Sequence, residues 1–261
     1  MPGYIMHLVE AGMVLQKLEK QSGVQAGESW RSQYLLGALL PDTRTGAEKQ
    51  QSHFWRQEDL RKLARAPYLP LFLEKYGTHL SDPVVFGYLV HLHLDAFYVN
   101  TYWPSIFRLQ NDAGEPEEGY EEVTRIWLMG QQQAVDRQVF FTKDWYYGDY
   151  SALNHYLIRK YQIQLPVYPP GEPFAVELEE VQETDLAGLL ERLQQHLDEV
   201  TGAEDVQQEI RSRGAEDGRE DAIQIPRLKV LDTETLETFL EETAEILVQE
   251  YGDQWIRRKK R

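Results

Sequence analysis

Apolar residues recur at intervals of three and four along most of this chain, which is the spacing of one face of an α-helix. The first such series begins at Ile5 and ends at Leu18. The same reasoning predicts further helices over residues 30–40, 57–66, 69–76, 83–99, 120–140, 149–161, 184–200 and 233–251. The hydrophobic pattern therefore predicts an all-α protein built as a multi-helix bundle.

Capping residues and prolines indicate where these helices begin and where the chain changes character. Asp82 and Pro83 predict a helix start, because aspartate can cap the first turn and proline fits the first helical position. Four closely spaced prolines then separate a predicted helical domain, residues 1–165, from an acidic helical extension, residues 166–261. Within this extension, residues 202–224 are charged and contain three glycines, which predicts a mobile segment.

Composition narrows the classes of function that remain. The net charge of -16, with the acidic excess in the C-terminal third, argues against duplex nucleic acid as a partner. Mean hydropathy is -0.55, and no apolar run approaches the roughly 20 residues of a spanning helix. We expect no transmembrane segment and, without a recognisable secretory signal, a cytoplasmic location. The oligomeric state stays open.

The absence of cysteine restricts any metal chemistry. With no thiolate available, a metal must be held by histidine, carboxylate, backbone or water ligands. His91 and Asp95 are four residues apart in a predicted helix and therefore share a face, whereas His93 lies roughly 200° around the axis from His91. A hydrogen bond between His91 and Asp95 inside a helical core would explain this pair equally well.

Three further groups of residues favour a metal site over a structural hydrogen bond. His7 lies near the start of the first helix, Pro41 and Asp42 end the second, and His53 follows shortly before two aromatic residues. In this order, with the His91-x-x-x-Asp95 pair, they resemble the zinc-dependent phospholipase C and single-strand nuclease superfamily, particularly its short bacterial members. The resemblance covers about residues 1–103 and implies a phospholipase C-like helical bundle.

The resemblance also implies a set of ligands. Carried over by position, Asp42, His53, His91 and Asp95 would form one site, and His7 would help to hold a second metal with Asp95 as a bridge. The third metal of the family is not expected, because its positions fall here on residues such as Thr101 and on His155-x-x-x-Arg159. We therefore expect one or two ions. Zinc suits imidazole and carboxylate ligands best, with manganese or iron as alternatives.

The implied activity is hydrolysis of a phosphodiester, most simply a phospholipid, with Asp42 as catalytic proton acceptor for the attacking water. The competing hypothesis is a helical protein that keeps a metal for structure or ligand binding without turnover. A third hypothesis makes the acidic extension an interaction module on a hydrolase scaffold. A cluster of aromatic residues could wall a substrate cleft or fill the core: Tyr98, Tyr102, Trp103, Trp145, Tyr146, Tyr147 and Tyr150.

Overall fold

The computed structural model describes residues 2–168, 174–182, 185–212 and 225–257, and this part of the chain is mainly helical. The helices are α1 (Tyr4–Ser22), α2 (Glu28–Leu39), α3 (Lys49–Ser52), α4 (Leu69–Tyr76), α5 (Pro83–Phe97), α6 (Trp103–Ile106), α7 (Arg137–Phe140), α8 (Tyr146–Tyr161), α9 (Leu186–Ser212) and α10 (Thr233–Arg257). Short 3-10 turns and one π-helical turn, Tyr98–Tyr102, connect them. The mainly helical character predicted from the sequence is confirmed.

A small sheet corrects the prediction of an all-α fold. The strands β1 (Phe107–Gln110), β2 (Arg125–Leu128) and β3 (Gln133–Asp136) form an antiparallel meander in the order β1-β2-β3. The helix predicted over residues 120–140 is therefore wrong. Ile126 and Leu128 are buried while Arg125 is exposed, which is the two-residue period of a strand. The predicted helix over 57–66 is also too long, since only a 3-10 turn at Gln57–Arg61 forms there.

The helix α5 is the centre of the fold, and its start agrees with the prediction. Asp82 accepts hydrogen bonds from the backbone N–H groups of Val84 and Val85, at 2.9 and 3.2 Å. Such a cap satisfies amides that have no partner within the helix. Nearly every side chain from Val84 to Ala96 is buried, because other elements cover α5 on all sides. Polar side chains on this helix are thus removed from water.

Two glycines let α2 approach α5 closely. A Cβ at Gly37 would lie 2.1 Å from the carbonyl oxygen of Val84, and one at Gly87 would lie 2.0 Å from that of Tyr34. Only glycine allows the two backbones to approach so closely. This contact brings the end of α2, and with it Asp42, against the middle of α5.

The C-terminal part packs on the helices that precede it. Helix α10 lies along α1 and also contacts α5, and α9 contacts α8. A short segment around the 3-10 turn Glu179–Val181 lies against the turn that carries Asp42, where Arg44 Nε donates to the Glu180 carbonyl at 3.2 Å. Of the predicted mobile segment, residues 202–212 belong to α9, and residues 213–224 lie outside the described residues. In the described part, no helix combines the length and apolar character needed to cross a bilayer.

Candidate metal centre

Four elements bring the predicted ligands to one place in the core. His7 comes from the second turn of α1, Asp42 from the 3-10 turn after α2, His53 from the end of α3, and His91 and Asp95 from α5. The three histidines and Asp95 are at most 1% exposed, and only the Asp42 side chain retains some access to solvent. The rings of His7 and His91 stack with their centroids 3.6 Å apart. All five residues therefore belong to a single cluster.

Hydrogen bonds fix which ring nitrogen of His91 and His53 faces the cluster. His91 Nδ1 lies 2.8 Å from the carbonyl oxygen of Ala38, which can only accept, so this nitrogen carries the proton. Ser52 Oγ donates to the Pro41 carbonyl at 2.9 Å, and His53 Nδ1 donates in turn to Ser52 Oγ at 2.9 Å. In both neutral rings the Nε2 lone pair is thereby left free and points inward, as in histidines that bind metals.

Several of the inward atoms are separated like neighbouring ligands of one metal ion. His53 Nε2 lies 3.4 Å from Asp42 Oδ1, from Asp95 Oδ2 and from His91 Nε2. His91 Nε2 lies 3.7 Å from the same Asp95 oxygen. Zinc bonds of about 2.1 Å in tetrahedral geometry would separate neighbouring ligands by roughly 3.4 Å. The four separations are therefore close to those between neighbouring zinc ligands.

His7 lies on the other side of the two carboxylates. Its Nε2 is 3.6 Å from Asp95 Oδ1 and 3.9 Å from Asp42 Oδ2, the oxygens that do not face His53. Among the described residues, two overlapping groups could each hold an ion: His7, His91 and Asp95, and Asp42, His53 and His91. Asp95 Oδ1 and Oδ2 and both ring nitrogens of His7 have no hydrogen-bond partner there. Buried polar atoms are rarely left unmatched, so the donor set fits a cation.

The electrostatics of the cluster agree with a cation site. Burial lowers the pKa of His7 to about 3 and that of His91 well below its usual range, so these rings are neutral. Burial and then the nearby Asp42 charge raise the pKa of Asp95. Burial alone would also raise the pKa of Asp42, but neighbouring groups, among them the Lys49 ammonium, outweigh it and lower that pKa. A divalent ion would stabilise both carboxylates in the charged form.

Two contributors to this centre were not predicted from the sequence. Lys49 Nζ lies 2.6 Å from Asp42 Oδ1 at the only partly accessible side of the cluster. Ser52 orients the His53 ring, as described above. A further local feature is the left-handed backbone of Phe54, with φ of 52°, directly after the ligand. Such a conformation is uncommon for a residue other than glycine, and it directly follows a candidate ligand.

The other sequence candidates lie outside the centre. His93 is on the opposite side of α5, where its ring stacks on Phe97 at 4.5 Å. His155 contacts His196 of α9, with ring centroids 5.6 Å apart. Asp149, a further carboxylate of α8, accepts from three backbone N–H groups of residues 229–231. Of the aromatic cluster, Tyr98, Tyr102, Trp103 and Tyr146 are buried in the core, while Tyr147 is exposed.

Comparison with known proteins identifies no relative of this chain. No protein family, no curated protein and no solved structure matches it. The resemblance to the zinc-dependent phospholipase C and nuclease superfamily therefore stays a hypothesis based on ordered residues.

Proposed function

We propose that this protein binds one or two zinc ions at the His7, Asp42, His53, His91 and Asp95 cluster and hydrolyses a phosphodiester, with a phospholipid as the leading substrate class. Manganese and iron are the alternative ions. The proposal includes a phospholipase C-like arrangement of the helices around the centre. It does not include a third metal.

The spacing of donor atoms around His53 is the observation that carries this proposal. Three contacts of 3.4 Å join its Nε2 to one nitrogen and two carboxylate oxygens, although no proton lies between the nitrogen atoms. Lone pairs that face one another at this distance repel, and a cation placed between them turns the repulsion into coordination. A core selected only for packing would gain nothing from this arrangement.

The residues have distinct roles in the proposed reaction. A zinc ion held here would polarise a phosphoryl oxygen and lower the pKa of a coordinated water. The Asp42 carboxylate has the highest exposure of the five ligands and stays ionised, so we assign it the role of proton acceptor for the attacking water. His91 and His53 are held in one tautomer and orientation by Ala38 and Ser52. The chain supplies positioning and proton transfer.

A second candidate function is supported by how closed the centre is. His53, His91 and Asp95 are fully buried, and the ammonium group of Lys49 occupies the accessible side of Asp42. A metal with no open position stabilises a fold but does not turn over substrate, as structural zinc sites illustrate. The alternative is therefore a metal-binding helical protein without catalysis.

The experiment that separates these functions measures metal content and hydrolysis on the same samples. Purified full-length protein is analysed for zinc, manganese and iron, and is then assayed with bis(p-nitrophenyl) phosphate. We expect bound zinc and metal-dependent hydrolysis, both of which are lost in His53→Gln. Bound zinc without hydrolysis under any added metal would favour the structural role. Protein that binds none of these metals, even when they are supplied, would contradict both functions.

A further inference from the structure

Tyr150 places a hydroxyl group beside the centre from α8. A Cβ at Gly3 would lie 2.5 Å from this oxygen, so the phenol packs directly on the start of α1. Gly3 is one helical turn before His7, whose backbone N–H donates to the Gly3 carbonyl at 3.1 Å. Helix α8, which carries Tyr150, packs on α1. The hydroxyl therefore lies at the start of α1, one turn before the candidate ligand His7.

This hydroxyl has no hydrogen-bond partner among the described residues, although its oxygen atom is buried. The Gly3 amide faces its oxygen, but an N–H group can only donate, so the phenol proton still lacks an acceptor. Tyr146, one turn earlier on α8, shows the usual situation. Its hydroxyl pairs with that of Tyr98 at 3.0 Å and accepts from Trp103 Nε1 at 3.1 Å. An unmatched buried donor beside a ligand site indicates an acceptor on the ligand.

The hydroxyl keeps its proton at neutral pH. Burial is the main cause that raises the pKa of Tyr150, and the nearby Tyr146, Asp42 and Asp95 add to the effect. Tyr150 is therefore a donor and not a phenolate. The start of α1 also favours an anion, because the first backbone N–H groups of a helix attract negative charge. No side chain caps this helix and no acidic residue lies in its first turn.

We propose that the Tyr150 hydroxyl donates a hydrogen bond to an oxygen of a tetrahedral oxyanion, of the phosphate or phosphodiester class, bound at the His7 and Asp95 side of the centre. This inference rests on the proposed metal-dependent function, because without a bound cation the two carboxylates would repel the anion. In this proposal the Tyr150 hydroxyl is a neutral hydrogen-bond donor that helps to select oxyanions and is not a ligand of the metal.

The test measures binding of inorganic phosphate to zinc-loaded full-length protein by titration calorimetry, together with zinc affinity. Tyr150→Phe removes only the hydroxyl, and we expect a dissociation constant for phosphate about 10- to 100-fold higher with unchanged zinc affinity. Gly3→Ala is a second variant, since its methyl group would displace the hydroxyl, and we expect it to weaken phosphate binding as well. Tyr146→Phe is the matched control and should leave phosphate binding unchanged.

Each remaining outcome is decisive. Equal phosphate affinity in wild type and Tyr150→Phe overturns the inference and leaves the metal centre intact. Loss of zinc together with phosphate in Tyr150→Phe overturns it too, since the tyrosine would then maintain the structure of the site. A wild-type protein that takes up no zinc overturns the proposed function and this inference with it.

Discussion

The two buried sides of α5 contain similar residues in different surroundings. His91 and Asp95 face atoms from α1, the turn after α2 and the end of α3. Ring nitrogens of other histidines lie within 4 Å of them. His93 is equally buried, but its neighbour is the Phe97 ring, and neither of its ring nitrogens has a hydrogen-bond partner among the described residues. Glu10 of α1 is a second buried ionisable residue without such a partner.

The difference shows that burial alone does not identify a site. Burial lowers the pKa of His93 to about 4 and raises the pKa of Glu10, much as it shifts the ligands. Within the part of the chain that the structure describes, several lone pairs from different elements converge on one point only at the centre. Convergence of several lone pairs distinguishes a cation site from a buried polar residue in the core.

The largest effect is expected from a pair of matched variants on α5. His91 belongs to both candidate ligand groups, so His91→Gln should abolish stabilisation by zinc. At free zinc 1,000 times the dissociation constant, that stabilisation is about 4 kcal/mol in the wild type. His93→Gln should retain it, because His93 faces away from the centre. Urea unfolding with zinc and with a chelator measures the stabilisation by zinc in each variant. An equal loss of this stabilisation in the two variants would falsify the proposed ligand set.

His7 should matter less than His91, because it belongs to only one of the two groups. We expect His7→Gln to leave the ion shared by His53, His91 and Asp42 in place and to remove a second ion if the wild type holds two. Metal analysis after exhaustive dialysis gives the stoichiometry. Complete loss of metal in this variant would show that the cluster holds a single ion that needs His7.

Glu10 provides a test of the buried residue outside the centre. Its pKa is raised by burial in the folded state, so its contribution to stability is complete below about pH 4.5 and falls as the pH rises towards the folded pKa. The slope is at most about 1.4 kcal/mol per pH unit. Glu10→Gln should remove that slope, and its advantage over wild type should grow from pH 5 to pH 8 in urea unfolding with chelator.

Glu19 on the same helix is the control for this comparison. It accepts from the Ala26 amide at 2.8 Å and pairs with Arg31 at 3.1 Å, so it is a partnered carboxylate. Glu19→Gln should lower stability, since it removes that pairing. If Glu10→Gln also lowers stability at every pH, the prediction is wrong and the Glu10 carboxyl has a stabilising partner of its own.

The smallest effect is expected at Lys49. Its substitution should favour the zinc-bound protein but destabilise the protein without metal. Lys49 competes with a cation for Asp42, so Lys49→Gln should tighten zinc binding several-fold in a chelator competition assay. Without metal, the same change should lower the free energy of unfolding by about 1 kcal/mol, because Asp42 loses its partner. Lys75→Gln breaks a comparable pair with Glu180 and should leave zinc affinity unchanged. Weaker zinc binding in Lys49→Gln would make Lys49 part of the site.

Local rules explain what the sequence predicted well. The spacing of His91, His93 and Asp95 was enough to place two of them on one face and to exclude the third, because 3.6 residues complete a turn whatever surrounds the helix. Asp82 and Pro83 predicted the start of α5 for the same kind of reason, since the cap is made within four residues. The sheet was missed because its strands are only four residues long and lie within a segment that is mostly polar.

The sequence by itself determined the helices of eight residues or more, though not the small sheet, and supplied the five candidate ligands in their order along the chain. The tertiary structure alone decided that α2 approaches α5 at two glycines, that Lys49 and Ser52 join the cluster, and that Tyr150 reaches the start of α1. Such contacts join residues far apart in the chain, so no local spacing encodes them. They depend on how buried faces pack. Packing also decided that Asp95 lies near ring nitrogens of His7, His53 and His91, while Glu10 has no hydrogen-bond partner among the described residues.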